Sequence, residues 1–220
     1  MVPGILYAQT NITSPLLDSE TFNIWYDTIH IPQMFSLPGS PNITYRYKAI
    51  DESRQTWQYL ALYVLDDHTF TNIPIPEDVF TYQHPMFPGG KSLFDFVSFE
   101  GKDFVFVGDE GTSLGATEKA KWAVHAEVDV GDANSQQLEA VLNEERREGV
   151  RYSRYRLDRV PTAITHMEAA DYDGPKGLAI FNIDQEEDVS RVVESLDRKL
   201  KETGAQVKFT TWEIVNIIEK

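Results

Sequence analysis

The chain holds 220 residues, 41% of them apolar, with 35 acidic side chains against 20 basic ones and a formal net charge of −15. That composition supports a packed core in one domain or two small ones, and its acidic surface repels phosphate backbones and anionic lipid, so nucleic-acid and membrane roles are not expected. There is no cysteine, which excludes disulfides, thiolate metal sites and cysteine nucleophiles.

The first expected element is a strand over residues 5–12, followed by a turn at Ser14-Pro15. Phe22, Trp25, Tyr26 and Ile29 then recur at i, i+3, i+4 and i+7, the spacing of one helical stripe, with Asp18 or Ser19 placed to cap its start. Pro32 lacks a backbone N–H and biases the residue before it away from helix, so the helix is expected to end there with His30 in its last turn. After a loop over 33–41, residues 42–50 and 57–65 read as an antiparallel hairpin. A weaker helix is expected over 76–84, with Pro76 at its first position and Pro85 and Pro88-Gly89-Gly90 stopping it. Residues 93–99 and 104–107 are strand-like, and 110–121 has the composition of a linker.

From residue 122 the order repeats. A strand over 122–130 precedes a helix over 134–148, strands over 150–160 and 177–183, and an amphipathic helix through Val189, Val192, Val193, Leu196 and Leu200 that Gly204 closes. A last strand covers 207–218. Each half therefore reads β-α-β-β-α-β, one repeat over 1–110 and a second over 120–220. Tyr45-Arg46-Tyr47-Lys48 in the second strand of the first half is echoed by Ser153-Arg154-Tyr155-Arg156 in the second.

A sheet of this kind carries its helices on one face and leaves the other apolar and uncovered. Two such units in one chain can pack sheet against sheet, so a monomer is sufficient and a homodimer is compatible. With Trp25-Tyr26-x-x-x-His30-x-Pro32 and Tyr82-x-His84-Pro85, the chain resembles the dimeric α/β-barrel superfamily. The resemblance implies an α+β fold of tandem ferredoxin-like repeats forming a pseudo-dimeric α/β barrel, with the first motif at the mouth of a pocket between helix and sheet.

His30 stands one turn after Tyr26 and Asp27 at the negative end of the expected helix, where carboxylate and dipole both favour imidazolium. It is expected to stay partly accessible beside Pro32 and to titrate above the usual value of about 6.5, a range suited to proton transfer. The catalytic candidates are therefore His30, Tyr26 and Asp27, Tyr26 because its hydroxyl can share a substrate proton. Trp25, Phe22, Tyr7, Tyr47, Tyr82 and His84 are the substrate-binding candidates. His84 lies in a segment similar to the second-helix His-Pro motif of stress-responsive and polyketide-cyclase-like members of the superfamily. Those cyclases carry a further histidine three residues on, and here that position is Phe87.

The corresponding helix of the second half, Leu142-Asn143-Glu144-Glu145-Arg146, has no Trp-Tyr pair and no histidine, so its site is expected to be degenerate. His125 and Glu127 share one face of their strand and either line a cavity or stand near an open end. His68 and His166 are expected in loops. The histidines show no metal-ligand spacing, and phosphate-loop, dinucleotide and nucleophile-elbow patterns are absent, so neither metal nor cofactor is expected. The start of the chain has no basic stretch ahead of a long apolar run, and a cytoplasmic protein is expected.

The resemblance implies a cofactor-independent enzyme that cyclises, dehydrates, decarboxylates or isomerises a polyketide-like or aromatic metabolite by acid/base chemistry. The alternatives are a cofactor-free monooxygenase and a non-catalytic small-ligand-binding or stress protein.

Overall fold

Side chains along a strand alternate between two faces, and in this protein both faces of most strands are covered. Strand β1 (Gly4–Ile12) sends Ile5 and Tyr7 to one side and Ala8 to the other. β2 (Ile43–Ala49) places Tyr45 and Tyr47 with Tyr7, as β3 (Tyr59–Leu65) does Leu60 and Leu62, while Ala61 and Tyr63 join Ala8. The computed structural model describes residues 2–51, 56–72, 82–107, 120–129, 135–145, 149–161, 166–168 and 173–220.

With β4 (Val97–Phe106), the strands of the first half lie in the order β4-β1-β3-β2. The second half contributes β5 (Trp122–Asp129), β6 (Val150–Pro161), β8 (Gly177–Ile183) and β9 (Gln206–Glu219), in the order β9-β5-β8-β6. The two orders are the same when each half is counted from its own first strand. Two antiparallel seams join the halves. Along one, β2 runs beside β9 from Ile43 opposite Glu219 to Ala49 opposite Trp212, with an irregularity between Arg46 and Tyr47. Along the other, β4 pairs with β6 and closes the sheet into an eight-stranded antiparallel barrel. A short β7 (His166–Glu168) adds to β6, so His166 is in a strand and not in a loop.

The helices cover the outside. α1 (Ser19–Trp25) starts where expected, with the Asp18 carboxylate accepting the Thr21 backbone N–H at 2.7 Å. Pro32 does not end the helix, which is a correction to the sequence reading. Residues Tyr26–His30 form a π-helical turn, and α2 (Ile31–Phe35) continues beyond it. In that turn the Ile31 N–H reaches back to the Tyr26 carbonyl, five residues away. The wider turn accommodates a proline that can neither donate to the carbonyl four residues earlier nor fit beside it. α3 (Ser135–Glu144) and α4 (Glu187–Thr203) cover the second half, and α4 ends on Gly204 in a left-handed conformation, φ 75°.

Three cores result: a barrel interior, a first-half layer between α1–α2 and the sheet, and a second-half layer beneath α3 and α4. The expected strands over 93–99 and 104–107 are instead a 3-10 turn, Leu93–Asp95, and one strand. Most of the expected helix over 76–84 and of the linker over 110–121 lies outside the described residues, as does Arg146. Where that helix can be checked, Gln83 is not helical but forms an isolated bridge with Ser92. Among the described residues, no helix is long and apolar enough to cross a membrane.

Candidate functional site

The π turn decides where His30 points. One extra residue in the turn advances the stripe, so His30 rather than Ile29 falls on the buried face, 9% exposed. Its ring stacks on Trp25, with centroids 5.2 Å apart and planes 14° apart, and meets the edge of Tyr26 at 4.8 Å. Tyr82 lies 6.1 Å away, and Phe22 and Phe87 extend the aromatic cluster on Tyr26 and Trp25. The histidine is therefore neither accessible nor raised. Burial pulls its pKa down to about 3, and the Arg46 guanidinium adds to that effect, so the imidazole is neutral at physiological pH.

Arg46 also accounts for Asp27, which does not face His30. The Arg46 Nε donates to Asp27 Oδ1 at 2.9 Å, and Asn216 Nδ2 donates to Asp27 Oδ2 at 3.0 Å. Arg46 Nη2 donates to Asn23 Oδ1 at 2.8 Å, and its guanidinium carbon sits 3.8 Å from the centre of the Tyr26 ring. Tyr63, on the facing strand, donates its hydroxyl hydrogen to Tyr26 Oη at 3.1 Å. Burial raises the Tyr26 pKa; Arg46 and the Tyr63 hydrogen bond oppose that rise. Tyr63 is pushed well above its usual value by burial, and Tyr82 up to about 12. Sequence reasoning missed Arg46 and Tyr63. A charged residue between Tyr45 and Tyr47, on a strand covered on both faces, was the available signal for Arg46.

Of the nine candidates, the structure brings Phe22, Trp25, Tyr26, His30 and Tyr82 together. His84 stands at the margin, half-buried, its ring 6.3 Å from Phe87 and its Nδ1 accepting the Met86 N–H at 3.2 Å. Tyr7 and Tyr47 are elsewhere, on the opposite face of the sheet inside the barrel. There the Tyr7 hydroxyl hydrogen-bonds His125 Nδ1 at 2.9 Å, from β1 to β5 on the opposite side of the ring of strands. Lys102 donates to Glu127 Oε2 at 2.7 Å across the same interior. His125 and Glu127 thus line the barrel interior rather than an open end, and burial draws the His125 pKa down to about 3.

No family model matches the chain. Over 66 residues it is 35% identical to core atranone cluster protein 1 of Stachybotrys chlorohalonatus, a match spanning 30% of this chain and 27% of that protein. Solved structures match far more of it. A putative chlorite dismutase superposes with a TM-score of 0.59 at 10% identity, covering 98% of this chain and 96% of the other. A chlorite dismutase from Candidatus Nitrospira defluvii gives 0.55 at 10% identity over 96% and 90%. A heme-binding protein from Thermus thermophilus gives 0.52 at 9% identity over 98% and 92%. The fold is that of the chlorite dismutase-like dimeric α/β barrels.

A haem needs an axial donor at the wall of a slot wide enough for a macrocycle. The second-half layer is closed by Val124, Leu142, Phe181, Val192, Leu196 and Leu200, all fully buried, and its core has no histidine, methionine or tyrosine among its buried residues. In the first-half layer Trp25 covers one face of His30, and Phe22, Tyr59 and Phe87 fill the surrounding space. The described residues do not fit a haem in either layer.

Proposed function

We propose that the protein is a cofactor-independent enzyme of secondary metabolism that takes an apolar or aromatic small molecule at the His30 cluster and moves a proton on it. The observation that carries this reading is the asymmetry of the two layers. The first half gathers an imidazole and three phenols, from His30, Tyr26, Tyr63 and Tyr82, within one desolvated aromatic surround. Among the described residues, the matching layer of the second half is built from aliphatic side chains and phenylalanine, with Tyr152 and Trp122 at its margin, and its buried carboxylate, Glu145, is taken up by Ser195 and Lys199 of α4. Buried polar groups like those of the first half are explained by a function more readily than by folding, because each must be satisfied away from water. Two ferredoxin-like repeats, 1–110 and 120–220, of which the second is degenerate as a site, fit this asymmetry and the shared strand order. The match to a protein of a secondary-metabolite cluster supports the substrate class.

A neutral imidazole suits a hydrogen-bonding or proton-relaying role better than that of a strong base, since its basicity is low. The test is to incubate the purified protein with phenolic and poly-β-ketone substrates and to follow isomerisation, loss of water or loss of carbon dioxide by mass spectrometry. Turnover that disappears in both His30→Phe and Tyr26→Phe supports the reading; turnover indifferent to both refutes it. The low basicity of His30 favours one second reading, a protein that holds the same class of ligand without converting it. Ligand recovered unchanged, with binding lost in Tyr26→Phe, would establish that reading instead.

A further inference from the structure

Resting on the reading that the His30 cluster is the ligand site, we propose that Tyr26 and Tyr63, held above the Arg46 guanidinium, form an oxyanion-binding site for the phenolate or enolate oxygen of an aromatic guest, with Arg46 as its positioning residue.

Four observations point the same way. The first is the orientation of the ion pair. Arg46 is 1% exposed, whereas the carboxylate that holds it, Asp27, is 23% exposed and tied to Asn216 at the rim. The positive end of the pair is therefore the buried end, and inside the layer its field is less screened than the field of its partner. The second is the backbone. β2 alternates regularly here, with Tyr45 and Tyr47 facing the barrel interior, and the extra residue of its irregular pairing is Val215 of β9, so plain strand parity holds the Arg46 guanidinium on the helix side, under Tyr26 and 5.7 Å from the Phe22 ring.

The third observation is the hydroxyl pair itself. Tyr26 and Tyr63 share one hydrogen bond of 3.1 Å, which uses one of their two hydroxyl hydrogens and leaves the other to be donated to a guest. A donated bond into a phenol and a cation beneath its ring both strengthen it as a donor. The fourth is the behaviour of the neighbours. Burial raises the pKa of both Tyr26 and Tyr63 and so keeps them in the protonated, donor form, while Arg46 opposes the rise at Tyr26 and adds to the fall at His30, so its positive field reaches the hydroxyl pair. Among the described residues, the ionisable groups facing the hydroxyl pair are His30, Tyr82, Arg46 and, at the rim, Asp27; His30 is neutral and Asp27 is engaged by Arg46 and Asn216.

A guest suited to these features carries an acidic hydroxyl or enolisable carbonyl on a flat conjugated ring. Its oxygen would accept from Tyr26, and its ring would replace the contacts of Tyr82 and Phe94. Those two rings pack 4.8 Å apart and form the outer, partly exposed part of the cluster.

The probe is p-nitrophenol, whose absorbance distinguishes phenol from phenolate, titrated with the full chain across pH. The wild type should bind it and lower its ionisation midpoint by about one pH unit, a tenfold preference for the anion. Tyr63→Phe and Arg46→Gln should each return the midpoint toward that of the free probe, and Tyr26→Phe should abolish the shift. If Arg46→Gln fails to fold, the two phenylalanine variants, which remove only a hydroxyl, carry the test. Binding with an unshifted midpoint, or a shift that survives Tyr26→Phe, overturns the oxyanion site and leaves the wider reading standing. No binding, measured independently by quenching of the protein's tryptophan fluorescence, overturns both.

Discussion

Lys102 is the most consequential charge in the barrel interior. Its ammonium lies 2.7 Å from Glu127 and 3.2 Å from Glu100; Lys102 and Glu127 are 3% and 2% exposed, Glu100 30%. Replacing Lys102 by methionine keeps the unbranched stem, one atom shorter, but strands Glu127 without its counter-ion. Breaking a buried pair from one side costs about 3–5 kcal/mol. The converse change, Glu127→Leu, leaves Lys102 paired with the better solvated Glu100, so its cost should fall at or below about 3 kcal/mol. Replacing both should recover most of the loss, because the fully buried positions then hold apolar groups of similar volume and the carboxylate that loses its partner, Glu100, is the better solvated one. For a chain of this size about 3–5 kcal/mol corresponds to a fall in Tm of roughly 6–20 °C. Thermal and urea unfolding of the four proteins in the cycle measure this. Equal costs for the two single changes that simply add in the double would refute the reasoning, because no coupling would then exist between the side chains.

Other expectations follow from particular residues. His30 and His125 stay neutral in the folded protein down to about pH 3, whereas unfolded histidine protonates near 6.5, so the unfolded state binds more protons below that value. Stability should therefore fall as the pH drops from about 6.5 toward about 3, by up to about 1.4 kcal/mol per pH unit for each histidine, and urea midpoints of His30→Phe and His125→Phe should show a flatter dependence. Trp25→Ala removes a fully buried ring packed on His30, Tyr26 and Phe87 and should cost about 3–5 kcal/mol in urea unfolding. Gly204→Ala forces a Cβ into φ 75° and should cost about 1–2 kcal/mol by the same measurement, although nothing crowds the position.

Much of the scaffold was legible because its signals are local. The Asp18 cap, the Val189-to-Leu200 stripe with Gly204 behind it, and the strand over 177–183 needed only neighbouring residues to be read. The site was legible in part, for the opposite reason. Phe22, Trp25 and Tyr26 followed from helical spacing, but the burial of His30 depends on a π turn that breaks that spacing. The expected upward shift of its pKa assumed a helix end at Pro32 and a free Asp27. The helix continues to Phe35, and Asp27 is held by Arg46 from a strand and Asn216 from near the far end of the chain. Tyr7 and Tyr47 were grouped with His30 because they are aromatic, and strand parity sends them to the other face.

Closure of the barrel within one chain also bears on how the molecule is made. β2 finds its outer neighbour only in β9, where Ile43 meets Glu219, so that edge and the inner face of Tyr45, Tyr47, Leu60 and Leu62 lie open while the second half is still being translated. Pairings of such separation are slow to form, and an unpaired apolar edge invites strands from other chains in the meantime. A nascent first half is thus a sticky intermediate whose natural partner arrives late. A backbone break between Val107 and Ala120 would leave both seams uncut, so the two fragments should be insoluble or self-paired apart and should reconstitute one another when refolded together.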